Sequence, residues 1–271
     1  MKRSGIIAIL IILVLVLPAT ADGLRRLTDR EDLLGWEAVG RLDLDGRGFC
    51  TGTLIAPDLV LTAAHCVYDG NIRDLRPADK IMFRAGLRDG VAIAERRGLQ
   101  IAAHPDYDPE QPPSVENIRY DVALIRLSEP ITSRDADPFV IHSGQNAGNQ
   151  ISVASYGVNR AEALSRQRKC TLLAERNEVI AFDCNVTFGS SGAPVFVRVG
   201  GRGRILSLVS AGGNFDGKKV GFGMVLPQRI AELKAQLRRN PVTAPDRRIK
   251  RLAPGAGRNS TGARFVRPGG G

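Results

Sequence analysis

Cysteine is sparse, with four residues, none in a CxxC pair, and histidine is rarer still, with three residues and no HxxxH spacing. Zinc modules built on such pairs are therefore disfavoured. Long apolar runs are also scarce. The longest, Ile6 to Leu17, covers about 12 residues against the roughly 20 needed to cross a bilayer, and no later segment approaches that length. No strand–helix unit is repeated, which argues against a doubly wound parallel sheet, and no solenoid-type repeat occurs. Acidic residues are outnumbered, 28 against 38 basic ones, giving a formal charge of +10 and a pI near 9.9.

The excess of positive charge is not spread evenly. Lys2 and Arg3 at the start, and Arg247, Arg248, Lys250, Arg251, Arg258, Arg264 and Arg267 against Asp246 near the end, leave roughly +2 for residues 22–240. That is an ordinary balance for a folded domain, so specific nucleic-acid binding is not implied. The final stretch, 241–271, is rich in Pro, Gly and Arg and lacks apolar periodicity. Such a composition predicts a disordered basic tail, whose one evident use is attachment to an anionic polymer or surface.

At the other end, Lys2 and Arg3 precede the apolar run, followed by Pro18 and the small-residue pattern Ala19-Thr20-Ala21. This order predicts a signal peptide over 1–21, removed to leave Asp22 first and a soluble protein that is secreted or periplasmic. Export permits disulfides. Cys50 and Cys66 lie in the first half, Cys170 and Cys184 in the second, so local pairing is the simplest of three connectivities. Each such loop would stabilise the fold by about 3 kcal/mol in the chain-entropy account.

With 43% hydrophobic residues the chain holds enough apolar side chains for a packed core. Between Trp36 and Val225 short strand patterns follow one another: FCTGTLI, LVLT, IMFRAG, VALIRL, ISVASYG, PVFVRV and RILSLVS. The pattern predicts an all-β fold, and the length suits two small barrels better than one. HPDYDPEQPPSVENIRY reads as a long surface loop, and HSGQNAGNQ as the crossing between halves. Pro227 followed by Ile230, Leu233 and Leu237 at helical spacing predicts a terminal amphipathic helix over 227–239.

Three segments carry reactive side chains. GSSGAP, Gly189 to Pro194, holds Ser191 in a glycine-rich turn, which alone decides little. FCTGTLIAPDLVLTAAHCV brings a strand into Ala63-Ala64-His65-Cys66, where a bridge from Cys50 to Cys66 would fix the imidazole. YDVALIRL sets Asp121 at the mouth of an apolar strand, and a partly desolvated carboxylate needs a donor that a histidine ring can supply.

Together these segments resemble the trypsin-like, chymotrypsin-fold serine proteases over most of residues 36–235. Thr62 to Cys66 with Cys50 matches the TAAHC box, Asp121 to Ile125 the DIALL-like strand, and Gly189 to Pro194 the GDSGGP turn with two changes; HPDYD at His104 to Asp108 is similar to the loop before the aspartate. The resemblance implies two six-stranded antiparallel Greek-key barrels, about 36–140 and 145–226, and an acyl-enzyme mechanism on peptide or protein substrates with no cofactor and no metal. In it Ser191 is the nucleophile, His65 the base and acid, Asp121 the group that orients the imidazole, and the amides of Gly189 and Ser191 the oxyanion hole. LVSAGG is similar to the substrate-pairing strand, which makes Ser210 and Gly212 backbone partners of an extended peptide. Asn185, Val186 and Phe188 would line the specificity pocket, with Thr187 beside them.

The departures matter equally. Ser190 stands where zymogen-type members carry an aspartate that pairs with a freed N-terminal ammonium, and a hydroxyl cannot supply that charge. Here, and in the Cys170–Cys184 pair, the chain is similar to bacterial glutamyl-endopeptidase-like members, although no histidine stands on the strand at Ser210. Asn185 near the pocket base does not imply selection for Lys or Arg, so small or medium uncharged side chains are expected in that pocket. Asp22 to Gly35 is either a propeptide or part of the domain. Asn185-Val186-Thr187 and Asn259-Ser260-Thr261 fit a glycosylation pattern, and His142 matches no motif. A monomer is expected, and a non-catalytic binding protein on the same scaffold is the competing reading.

Overall fold

Strands buried on both faces stand beside strands whose side chains alternate between core and solvent in the computed structural model, which describes residues 23–70, 74–144 and 148–242. The expected leader 1–21, all but the first two residues of the expected tail 241–271, and the Asn259 pattern lie outside those residues. A short strand β1 (Arg25–Arg26) comes first. Six strands follow: β2 (Val39–Leu44), β3 (Phe49–Ala56), β4 (Leu59–Thr62), β5 (Ile81–Ala85), β6 (Ala94–Ala103) and β7 (Ala123–Leu127). They close into an antiparallel barrel in the order β2-β3-β4-β7-β6-β5. Its interior is filled by fully buried Leu42, Leu54, Val60, Phe83 and Ile125, which the ladder register places on one face of their strands.

The second half supplies β8 (Gln150–Ser155), β9 (Ser165–Arg176), β10 (Val179–Phe182), β11 (Pro194–Val199), β12 (Arg202–Leu208), β13 (Ala211–Phe215) and β14 (Lys218–Met224). Their order is β12-β11-β8-β9-β10-β14-β13, and β1 adds itself to β9. This second body therefore has more strands than the six expected, and its sheet runs from β12 to β13 without closing. Between those two strands the chain changes partner: Val209 N–H, still beside β11, reaches Ala193 O at 2.9 Å, and Ser210 N–H, already beside β14, reaches Phe222 O at 2.8 Å. Ser207 Oγ also donates to Met224 O at 2.7 Å, which holds the β12 end of the curled sheet against β14.

The segment before the first barrel is part of the fold. Leu27 and Leu33 are buried, and Leu27 N–H donates to Leu164 O at 2.9 Å. Both expected disulfides form, Cys50–Cys66 and Cys170–Cys184. Between the halves, Trp36 packs against Phe196 at 5.2 Å and Phe139 against Phe196 at 4.6 Å between ring centroids, a cluster built from both ends of the domain.

Two α-helices are found among the described residues: α1 (Val115–Ile118), whose N-cap Ser114 accepts Asn117 N–H at 3.2 Å, and α2 (Pro227–Arg239). Helix α2 begins at the end of the second sheet but packs on β6 and β7 of the first barrel. Ile230, Leu233 and Leu237 form its buried stripe, and Glu232 takes a 2.8 Å hydrogen bond from His104 Nε2. The ring's other nitrogen accepts Asp106 N–H at 3.2 Å, which fixes the tautomer. The helix thus straps one half to the other. Leu233→Ala, at a fully buried position, is expected to lower unfolding free energy by about 2–4 kcal/mol, as measured by urea unfolding followed by circular dichroism.

Candidate active site

His65 sits in a single 3₁₀ turn, Ala64–Cys66, that follows directly from β4. Ala63 and Ala64 are fully buried, and larger side chains there would push the turn off the barrel. Cys66 is bonded to Cys50 in β3, so the imidazole hangs from a turn pinned at both ends. Cys50, His65 and Cys66 bring three possible metal-binding atoms within 4.8 Å of one another. Both sulfurs are spent in the disulfide, and the donor set does not suit a metal.

Asp121 lies between α1 and β7, held by its own N–H on Ile118 O at 3.2 Å. Its side chain is 5% exposed, so its charge must be met by protein donors. Three are supplied. His65 N–H reaches Oδ1 at 2.9 Å, His65 Nδ1 lies 2.8 Å from Oδ2, and Ser210 Oγ donates to Oδ2 at 2.5 Å. An ionised carboxylate only accepts, so Nδ1 carries the proton and Nε2 is the free nitrogen facing the cleft. Burial works to lower the His65 pKa, but the Asp121 charge and hydrogen bond outweigh it, and the value rises above the ordinary 6.5.

Ser191 stands across the same cleft, on a turn with left-handed glycines on either side, Gly189 at φ +88° and Gly192 at φ +76°. A Cβ on Gly192 would stand 2.2 Å from Thr62 Oγ1 and 2.4 Å from Thr51 O, so only glycine fits where the turn meets the first barrel. Among the described residues the N–H groups of Gly189 and Ser191 donate to no protein acceptor, while the neighbouring N–H groups of Ser190, Gly192 and Ala193 are all bonded. Two unpaired amides beside a hydroxyl are the donor arrangement that a developing oxyanion would require. Ser191 Oγ makes no hydrogen bond to His65 among the described residues; the two share the cleft wall.

Thr51 in β3 joins the halves at this point. Its N–H donates to Ser191 O at 2.9 Å, its hydroxyl donates to Gly189 O at 2.9 Å, and the same hydroxyl accepts Tyr156 N–H at 3.1 Å. Nothing in CTGTL singles out this threonine, because its partners lie about a hundred residues or more away. The hydroxyl role of Ser210 was equally hidden: the sequence pointed only to its backbone. Tyr107, Gln111, Pro113, Asn117 and Ile118, from the stretch read as a surface loop, form one wall of the cleft. Burial, and then the Asp121 charge, push the Tyr107 pKa upward, so its phenol stays neutral.

The cleft, of about 890 Å³, also takes in Val186, Thr187, Phe188, Ser210 and Gly212. Phe188 stands at the rim, 85% exposed. Asn185 is not part of that cleft. It lines an adjoining cavity of about 350 Å³ with Asn214, Lys219 and Val220, and Val186 and Gly212 border both spaces. His142 is buried with its N–H on Ile205 O at 2.7 Å, away from the cleft lining.

A closed β-barrel joined to a curled second sheet, with the Ser191 turn and the His65–Asp121 pair lining one cleft, defines a chymotrypsin-fold protein. The trypsin family model matches residues 34–224, and the chain belongs to that family. It is 28% identical over 129 residues to serine protease 56 of Mus musculus, covering 45% of this chain and 19% of that protein. With the vitellin-degrading protease of Bombyx mori it shares 31% identity over 125 residues, 44% of this chain and 41% of that protein. The chain spans less than half the length of these relatives. Among solved structures, a Glu endopeptidase superposes with a TM-score of 0.64 at 18% identity, covering 82% of this chain and 99% of the other. A thermostable serine protease from an extremophilic microorganism gives 0.60 at 20% identity, covering 75% and 98%.

The raised imidazole value has a direct consequence. If His65 is the base of a hydrolase it must be neutral to take a proton, and the acid limb of kcat/KM is then expected to have its midpoint above 6.5. Asp121→Asn removes the charge that raises it, and ring-proton NMR should show the His65 midpoint moving down. An unchanged midpoint would contradict the assignment. The sign for stability is the same: a raised folded-state value adds stability fully below the unfolded pKa, and the increment is lost as pH rises through the folded one.

Proposed function

We propose that this chain is a serine endopeptidase, secreted or periplasmic, that hydrolyses peptide bonds through an acyl-enzyme. The observation that carries the reading is the hydrogen-bonded His65–Asp121–Ser210 set facing Ser191 and the two unpaired amides. Ser191 Oγ attacks the scissile carbonyl carbon while His65 Nε2 takes the hydroxyl proton; the carbonyl oxygen, now anionic, is met by the N–H groups of Gly189 and Ser191. His65 then gives its proton to the leaving amine, and water repeats the sequence to free the acid. Asp121 remains ionised throughout and stabilises the imidazolium.

Strand β13 lies at the end of its sheet, so its outer edge is open to pair with an extended peptide at Ser210 and Gly212. Val186, Val209 and Ala211 present apolar surface to the cleft, and Asp121, already bonded, is its single acidic lining residue. This supports small or medium uncharged side chains on the acyl side of the cleaved bond. The two disulfides fit an oxidising compartment.

A fluorophosphonate probe is expected to label the wild-type protein at Ser191, with labelling lost in Ser191→Ala of unchanged circular dichroism. Folded wild-type protein that never labels at any pH would reject the hydrolase and leave the binding-protein reading. A panel of peptides differing at the acyl-side residue should give kcat/KM at least about tenfold higher for alanine or valine than for arginine or glutamate, within the range one pocket contact supplies. Glutamate ranking first would overturn the uncharged pocket and point to Lys219 in the adjoining cavity.

A further inference from the structure

Arg160 is folded inward beneath the nucleophile turn. Its Nη2 donates to Ser190 Oγ and to Ser155 Oγ, each at 2.9 Å, and its Nη1 donates to Ser155 O. Ser190 is fully buried, and its hydroxyl also accepts Thr187 N–H at 3.3 Å. The turn that delivers the arginine is shaped for it. Asn159 is left-handed at φ +65°, and a Cβ on Gly157 would lie 2.7 Å from the guanidinium carbon. Among the described residues no carboxylate forms an ion pair with Arg160. Burial lowers its pKa to about 10, which leaves it charged at neutral pH.

A half-buried cation whose guanidinium is turned inward onto hydroxyls, with no counter-ion among the described residues, is costly and calls for a use. Residues 187 to 191 carry the oxyanion donors, and Ser190 lies between the two of them. The Ser190 N–H bonds Thr187 O at 2.9 Å, and Phe188 O accepts Val158 N–H at 2.8 Å. The turn is thus fastened to the Gly157–Arg160 loop through backbone and through the guanidinium.

The geometry points to Arg160 as the positioning residue for the oxyanion hole: it clamps the Ser190 hydroxyl so that the Gly189 and Ser191 amides face the cleft, and its unneutralised charge favours the anion formed there. The cation is internal, so the active turn needs no freed N-terminal ammonium. The start of the described chain is itself fixed elsewhere, with Arg25 and Arg26 paired to Arg166 and Ser165 on the second sheet. This inference rests on the hydrolase reading above.

The test compares wild type with Arg160→Met, Arg160→Gln and Arg160→Lys by fluorophosphonate labelling rate, by kcat and KM on a chromogenic peptide, and by thermal melting. Arg160→Met is expected to lower kcat by about 100-fold, the scale of losing one oxyanion donor, with KM within about threefold. Arg160→Lys should recover at least about tenfold of that loss, and Arg160→Gln less, because it restores a donor without the charge. A wild-type N-terminus extended by two alanines should keep kcat within about twofold. Wild type that labels while a folded Arg160→Met labels equally fast would overturn this inference and leave the hydrolase reading intact. A tenfold or larger loss on extension would assign the role to the terminal ammonium and overturn it as well. If Arg160→Met fails to fold, the Lys and Gln variants decide: equal and wild-type kcat in both rejects the inference. Wild type that never labels rejects both readings together.

Discussion

A single buried carboxylate organises this molecule. Asp121 is removed from water at the seam of two β bodies, and a charge so placed is tolerated only when every strong acceptor site is met. Its donors come from both sides: two from His65 in the first barrel, one from Ser210 beside the second sheet. The halves must close on one another for the acid to be satisfied, and in closing they fix the imidazole tautomer that a proton-accepting Nε2 requires. The demand for a satisfied charge and the demand for an oriented base are met by the same three hydrogen bonds.

The seam is also held at points distant from the acid. Thr51 fastens the nucleophile turn to β3, the aromatic rings of Trp36, Phe139 and Phe196 interlock, and α2 returns from the second sheet to lie on the first barrel. These contacts are spread along the chain and share no local pattern. Their common effect is rigidity where small displacements are most costly, since hydrogen-bond donors act on a developing oxyanion only within a few tenths of an ångström of the right place. Glycine at 192 belongs to the same constraint, because backbone from the two halves approaches there too closely for any side chain.

Ser190 gives the site an internal logic of its own. A hydroxyl in place of an acid leaves nothing for a distant ammonium to pair with, and in this structure that space holds a guanidinium donating to the hydroxyl instead. The guanidinium and the hydroxyl it reaches are both encoded within about thirty residues of the folded domain.

Much of the architecture was legible in advance where apolar alternation is strong. FCTGTLI, LVLT, VALIRL and PVFVRV each became a strand, and the stripe Ile230, Leu233, Leu237 became the buried face of α2. Strands β6 and β9 were not singled out, because AERRGLQIAA and SRQRKCTLLAER carry charges on an outward face and blur the period-two signal. The long proline-rich stretch read as surface loop proved to be a cleft wall, since its side chains find partners only after the chain has folded back.

By itself the sequence determined the candidate inventory: which hydroxyl, which imidazole and which carboxylate stand in turns and strand mouths that local chemistry makes recognisable. Tertiary structure alone decided that Thr51 sews the nucleophile turn in place, that the Ser210 hydroxyl completes the shell of Asp121, that Arg160 lies beneath Ser190, and that Asn185 faces a neighbouring cavity. The reason is physical. A side chain's chemical identity is written at its own position, whereas a hydrogen bond between residues a hundred positions apart exists only once two bodies have packed, and no local periodicity records it.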